Sequence, residues 1–244
     1  MSGPKDATTH TCQAHAHLRE TLPAASQEDF ENSTRGFIAT IPDARILNEA
    51  GFPVWEMTSF AFEDEETPPD TVNPSLWRQA KLNKIHGLFK VTDRIYQVRN
   101  FDLSNITFIE GDKGYLIIDP LISAEPAKAA LDLMREHRGD KPVTGVIYTH
   151  SHVDHYGGVK GVLTDAELEK GDIPIIAPEG FLEEAVSENV LAGVAMGRRA
   201  TYMYGALLPR GPKGHVDAGL GKTVSLGKVS LVPPNTIIKE TGEK

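Results

Sequence analysis

The chain has 244 residues, is 40% hydrophobic and carries a formal net charge of −9, which is enough apolar material for a real core in one large or two small domains. The acidic balance, with no dense Lys/Arg stripe, excludes a nucleic-acid partner, because neutralising phosphates needs a basic face. The single cysteine, Cys12, cannot form an internal disulfide, and no apolar run has the length of a signal peptide or membrane anchor, so residence in the cytoplasm is expected.

Residues 1–30 are polar and small and read as a disordered tail. His10, Cys12, His15 and His17 lie close together in it as candidate soft-metal ligands, but no apolar periodicity holds them in a fixed geometry. Residues 31–85, including the acidic, proline-bearing run Glu63 to Asp70, read as an extended arm around a body formed later, with Glu63 to Glu66 as solvated surface. In the body, residues 86–244, the short β-branched or aromatic runs at 95–98, 106–109 and 115–118 are bounded by Asn, Asp and Gly and predict three consecutive strands. Gly111 to Gly114 fit a hairpin between the second and third, and Pro120 ends the third.

Ala127, Ala130, Leu131 and Met134 recur at helical spacing and predict a helix from about Ala124 to His137, followed by a buried strand from Val143 to Tyr148. A short helix from Tyr156 toward Leu163, a strand at 173–177, one long helix over about 180–207 and one or two strands at 224–232 complete the pattern. The order β-β-β-α-β indicates an α/β domain.

Directly after the strand ending at Tyr148 comes Thr149-His150-Ser151-His152-Val153-Asp154-His155-Tyr156-Gly157-Gly158. A lone histidine is more often a core or surface residue than a ligand, but here three fall within six positions around an aspartate. His150 and His152, two apart in a still-extended segment, project to one side and can share an ion at Zn–N distances of about 2.0–2.1 Å. Asp154 and His155 fall past the bend, within reach of a second ion, and Asp154 is also assigned as the catalytic residue. Gly157 and Gly158 permit a tight turn and close backbone approach. Imidazole and carboxylate without thiolate favour Zn²⁺, with Fe or Mn as alternatives, and paired metals suit hydrolysis.

This run resembles the T-H-x-H-x-D-H signature of the metallo-β-lactamase superfamily, and Gly114 to Pro120 fits its preceding strand. The resemblance implies an αββα sandwich of which this chain holds the first half and the N-terminal arm, two zinc ions per complete site, and Asp119 as a support for the metal loop. A turn-initiating Asp before Pro is the plainer alternative for Asp119. The runs at 86–91, 95–99, 102–105 and 189–205 resemble the linear alkylsulfatases (alkyl/aryl-sulfatases), with Asn100 standing where Gly is expected. That resemblance implies cleavage of alkyl sulfate esters such as dodecyl sulfate. It also implies two glutamates and a further histidine completing the site, then helical dimerisation and sterol-carrier-like domains. These are absent here, so a truncated form is expected, with a homodimer belonging to the full-length family.

Arg198, Arg199 and Tyr204 are candidate sulfate-binding residues, since guanidinium and phenol donors suit an oxyanion; an interface helix is the alternative. Asn105 is a further substrate-binding candidate, or a turn residue. Gly221-Lys222-Thr223 is not a phosphate-binding loop, because Val216 occupies the place of the leading glycine. Competing functions are another hydrolase of the same fold (thioesterase, lactonase or phosphodiesterase) or a non-catalytic form lacking the remaining ligands.

Overall fold

The computed structural model describes residues 3–22 and 26–242. Its first element is helix α1 (Thr9–Thr21), opened by Thr8, whose side chain accepts from the Thr11 N–H. The expectation of a disordered tail over residues 1–30 is corrected for its described part by this helix; residues 1–2 and 23–25 lie outside the described residues. A side-chain cap satisfies one free N–H of the first turn. Arg19 donates to Asp70 Oδ1 at 3.0 Å, and His15 Nδ1 lies 2.8 Å from the Asp70 carbonyl. Among the described residues, no group with the makings of a metal site includes His10, Cys12, His15 or His17.

The arm is also more structured than extended. It contains α2 (Glu28–Thr34), β1 (Phe37–Ala39), the hairpin β2 (Arg45–Leu47) and β3 (Pro53–Glu56), and α3 (Pro74–Asn83). Trp55 and Phe60 from this region are buried in the main core. Glu63, expected on the surface, is 1% exposed. It is paired with Lys222, which also donates to the Ala80 carbonyl at 2.6 Å and lies 3.2 Å from Asp217. A buried carboxylate persists only with such partners, and the same pairing occupies Lys222.

The body follows the expected order. β4 (Gly87–Thr92), β5 (Ile95–Arg99), β6 (Ile106–Glu110) and β7 (Tyr115–Ile118) pair antiparallel in sequence. At the β6–β7 hairpin the Gly111 N–H meets the Gly114 carbonyl at 2.8 Å. Helix α4 (Ala124–Arg138) buries Ala127, Ala130, Leu131 and Met134, the stripe expected from spacing. It carries the chain to β8 (Val143–Ile147), parallel to β7, and a crossover of this kind needs a helix. After α5 (Asp165–Lys170), β9 (Ile175–Pro178) adds in parallel, and β10 (Thr236–Ile238) extends that edge. With β1 on the other edge, eight strands form one mixed sheet. Leu88, Val98, Ile106, Phe108, Ile117 and Val146 are fully buried in its core, each contributing about 1.5–3 kcal/mol of burial.

Two expectations are corrected. The long helix at 180–207 is broken into α6 (Phe181–Val186), a π turn at Ser187–Leu191, and α7 (Gly193–Tyr204). The run at 224–232 forms no strand, because its backbone bonds are scattered over separate elements instead of one ladder: Leu226 N–H to the Val54 carbonyl of β3, Ser230 N–H to the Gly157 carbonyl, and Ala124 N–H at the start of α4 to the Lys228 carbonyl. Asn100, where glycine was expected, sits at φ 56°, a left-handed conformation that Asn tolerates better than most residues.

Candidate metal centre

β7 and β8 end side by side, and the loops beyond them build the site. Asp119, just past β7, has φ 56° and Leu121 φ 62°. Non-glycine residues held in this region mark places where surrounding contacts override local preference. Here the contacts are plain: the Asp119 carboxylate accepts the Thr149 N–H at 2.8 Å, the Thr149 hydroxyl at 2.7 Å and His155 Nδ1–H at 2.9 Å. The strand-end carboxylate thereby ties the start of the histidine loop to its far bend.

The bend is a 3₁₀ turn at Val153–His155, and the glycines after it are there for space. A Cβ on Gly157 would lie 2.2 Å from the Ile122 carbonyl oxygen, and one on Gly158 2.1 Å from that of Pro120. Tyr148, Tyr156 and Phe181 pack beneath the loop, with Phe181 stacked on Tyr148 at 5.1 Å between ring centroids and edge-on to Tyr156 at 5.4 Å. Burial raises the pKa of both tyrosines.

This scaffold gathers the histidines. The His150 ring lies 4.7 Å from that of His152 and 4.1 Å from that of His155, centroid to centroid, and Asp154 Oδ2 is 3.3 Å from His155 Nε2. Burial opposes protonation of His155, but its bonds to Asp119 and Asp154 outweigh that and raise it to about 9. Burial would raise Asp154, yet the His155 contact holds it below the usual carboxylate range. Burial and the two neighbouring imidazoles push His150 down. Among the described residues, no three His, Cys, Asp or Glu side chains stand as a ready-made metal cage. The donor set nonetheless fits zinc in kind, with three clustered imidazoles and a carboxylate.

Arg198 and Arg199 are exposed on α7, and Asn105 is exposed after β5. Tyr204 lines a separate cavity with Thr8, Asn73, Lys213 and His215. Three contributors escaped the sequence reading. Ser104, adjacent to Asn105, donates its hydroxyl to the Asp154 carbonyl at 2.5 Å. Thr149 Oγ1 lies 2.9 Å from His150 Nδ1. Glu188 Oε1 lies 3.7 Å from His152 Nε2. Only Thr149 carried a signal, as the strand-end hydroxyl opening the histidine run.

Residues 99–240, more than half of the chain, match the description "Metallo-beta-lactamase superfamily". The chain belongs to the metallo-beta-lactamase superfamily. Within it, the chain is 57% identical over 240 residues to a linear primary-alkylsulfatase of Pseudomonas sp., covering 98% of this chain and 36% of that protein. It is 50% identical to the alkyl/aryl-sulfatase BDS1 of Saccharomyces cerevisiae, covering 100% and 38%. The solved structure of the stereoselective inverting sec-alkylsulfatase Pisa1 from Pseudomonas sp. superimposes with a TM-score of 0.92 at 46% identity, over 98% of this chain and 38% of that one. This superfamily member thus spans a little over a third of the length of these relatives. No helix among its described residues is long and apolar enough to cross a membrane.

Proposed function

We propose that these residues form the histidine-rich half of a two-zinc centre that hydrolyses linear alkyl sulfate esters to an alcohol and inorganic sulfate. The observation that carries this reading is the clustering of the His150, His152 and His155 rings beside Asp154, and the relatives' names supply the substrate class. His150, His152, Asp154 and His155 are the ligands, and Asp154 is also the catalytic residue. Bound zinc supplies Lewis acidity and activation of water at neutral pH.

The chain's own residues orient and exclude. Asp119 fixes His155 with Nε2 turned into the cluster, and Gly157 and Gly158 let the loop sit tight on residues 120–123. Arg198, Arg199, Tyr204 and Asn105 serve the sulfate group as charged and neutral donors. A homodimer and a reducing compartment such as the cytoplasm, suited to the unpaired Cys12, belong to the same reading.

The test is metal content and turnover. Zinc by elemental analysis is expected in the parent chain and sharply less in His152→Ala, with dodecyl sulfate cleaved in preference to thioester, lactone and phosphodiester substrates. Equal zinc in both proteins ends the ligand assignment, and preference for another ester replaces the substrate. The second reading is a metal-binding chain without turnover, and bound zinc with no sulfate released selects it.

A further inference from the structure

Each imidazole of the cluster has a neighbour at one ring nitrogen. The Thr149 hydroxyl, committed as a donor to Asp119, accepts from His150 Nδ1–H. Asp119 accepts from His155 Nδ1–H. For His152 the neighbour is Glu188, with Oε1 3.7 Å from Nε2. That is longer than a hydrogen bond and within the reach of an ion pair.

Glu188 arrives there by a specific backbone device. It sits in the π turn at Ser187–Leu191 between α6 and α7, and π turns are rare, occurring mostly as single-turn bulges that are frequent at functional sites. The helix leading into it starts at Phe181, whose ring is seated on Tyr148 and Tyr156, the residues flanking the histidine loop. The turn is therefore anchored to the loop it faces. Glu188 is 27% exposed at its side chain and stands within ion-pair distance of His152.

We propose that Glu188 is the positioning residue of His152: it takes the Nε2–H and so presents Nδ1 to the metal, as Thr149 and Asp119 do for the other two rings with the opposite nitrogen. This rests on the metal reading above. Metal-ligating histidines donate their second N–H to a carboxylate or carbonyl, which fixes the tautomer and raises ligand basicity.

The experiment uses the ¹⁵N-labelled 244-residue chain, with and without ¹¹³Cd²⁺. One-bond cadmium coupling is expected at Nδ1 of His152. Glu188→Ala is expected to lower zinc affinity about 10–100-fold at unchanged stoichiometry, and Glu188→Gln, which keeps an acceptor, to lower it less. In the metal-free chain, Glu188→Ala is expected to move the His152 Nε2 resonance and leave those of His150 and His155 in place. Coupling at Nε2 of His152 overturns the proposal. So does equal loss in the Gln and Ala variants with fewer ions bound, which makes Glu188 a ligand. An Ala variant with unaltered affinity and an unaltered Nε2 resonance also overturns it. If the parent takes up neither cadmium nor zinc, the metal reading fails instead, and the metal-free Nε2 resonance still decides the role of Glu188.

Discussion

Asp119 and His155 are joined by a 2.9 Å hydrogen bond between a carboxylate oxygen and Nδ1, and Asp119 makes it from a left-handed backbone at φ 56°. The strained turn and the oriented imidazole are thus one arrangement, with Thr149 held by the same carboxylate. Asn tolerates this backbone but offers one acceptor oxygen and no charge. Asp119→Asn is therefore expected to melt within a few degrees of the parent while zinc affinity falls about 10–100-fold. Calorimetric titration beside a thermal melt measures both, and unchanged affinity contradicts the orienting role.

Lys222 is fully buried between Glu63 and Asp217. Burial raises the pKa of Glu63 against the pull of Lys222, so the carboxylate depends on that partner. Lys222→Met leaves buried acids uncompensated and is expected to cost about 3–5 kcal/mol in urea unfolding. Adding Glu63→Gln is expected to recover part of the loss. A single variant within about 1 kcal/mol of the parent would show that the pair is immaterial.

Asp102 is buried, and burial lifts its carboxyl from 3.8 to about 6 despite donors from Ser225, Leu103 and Ile122. Between pH 4 and 6 the folded chain therefore binds more protons at this site than the unfolded chain, so its contribution to stability falls as pH rises through that window. The loss, complete by about pH 7, is about 3 kcal/mol. Asp102→Asn cannot titrate. The stability difference, parent minus variant, is expected to decrease by about that amount from about pH 3 to 7, and a difference that stays flat removes the titration from Asp102.

Two glycines separate space from conformation. A Cβ at Gly158 would strike backbone oxygens of Pro120 and Ser123 at 2.1 and 2.6 Å, whereas one at Gly197, inside α7, meets nothing within 4 Å. Gly158→Ala is expected to unfold the loop or lose several kcal/mol. Gly197→Ala is expected to gain about 0.5–1 kcal/mol through helix propensity alone. Chemical denaturation of the two variants distinguishes them, and the reverse order refutes the packing argument.

The strands at 95–98, 106–109 and 115–118 and the helix over Ala124 to His137 were legible because their patterns are local. Apolar residues recur with period two or 3.6, and turn formers stand between them. The π turn was not, since the apolar spacing of residues 180–207 runs through it without a break. Residues 224–232 look like a strand for the same reason that β9 does; which backbone groups they meet is settled by elements far away in sequence.

By itself, the sequence determined the secondary-structure period of the body and the presence of three imidazoles and a carboxylate directly after a buried strand, because both are encoded within a few residues. Only the tertiary structure decided which groups orient those imidazoles and where buried charges find partners. Asp119 reaches His155 across 36 residues and Lys222 reaches Glu63 across 159. Such contacts depend on how the sheet and its loops close in space, which no local pattern specifies.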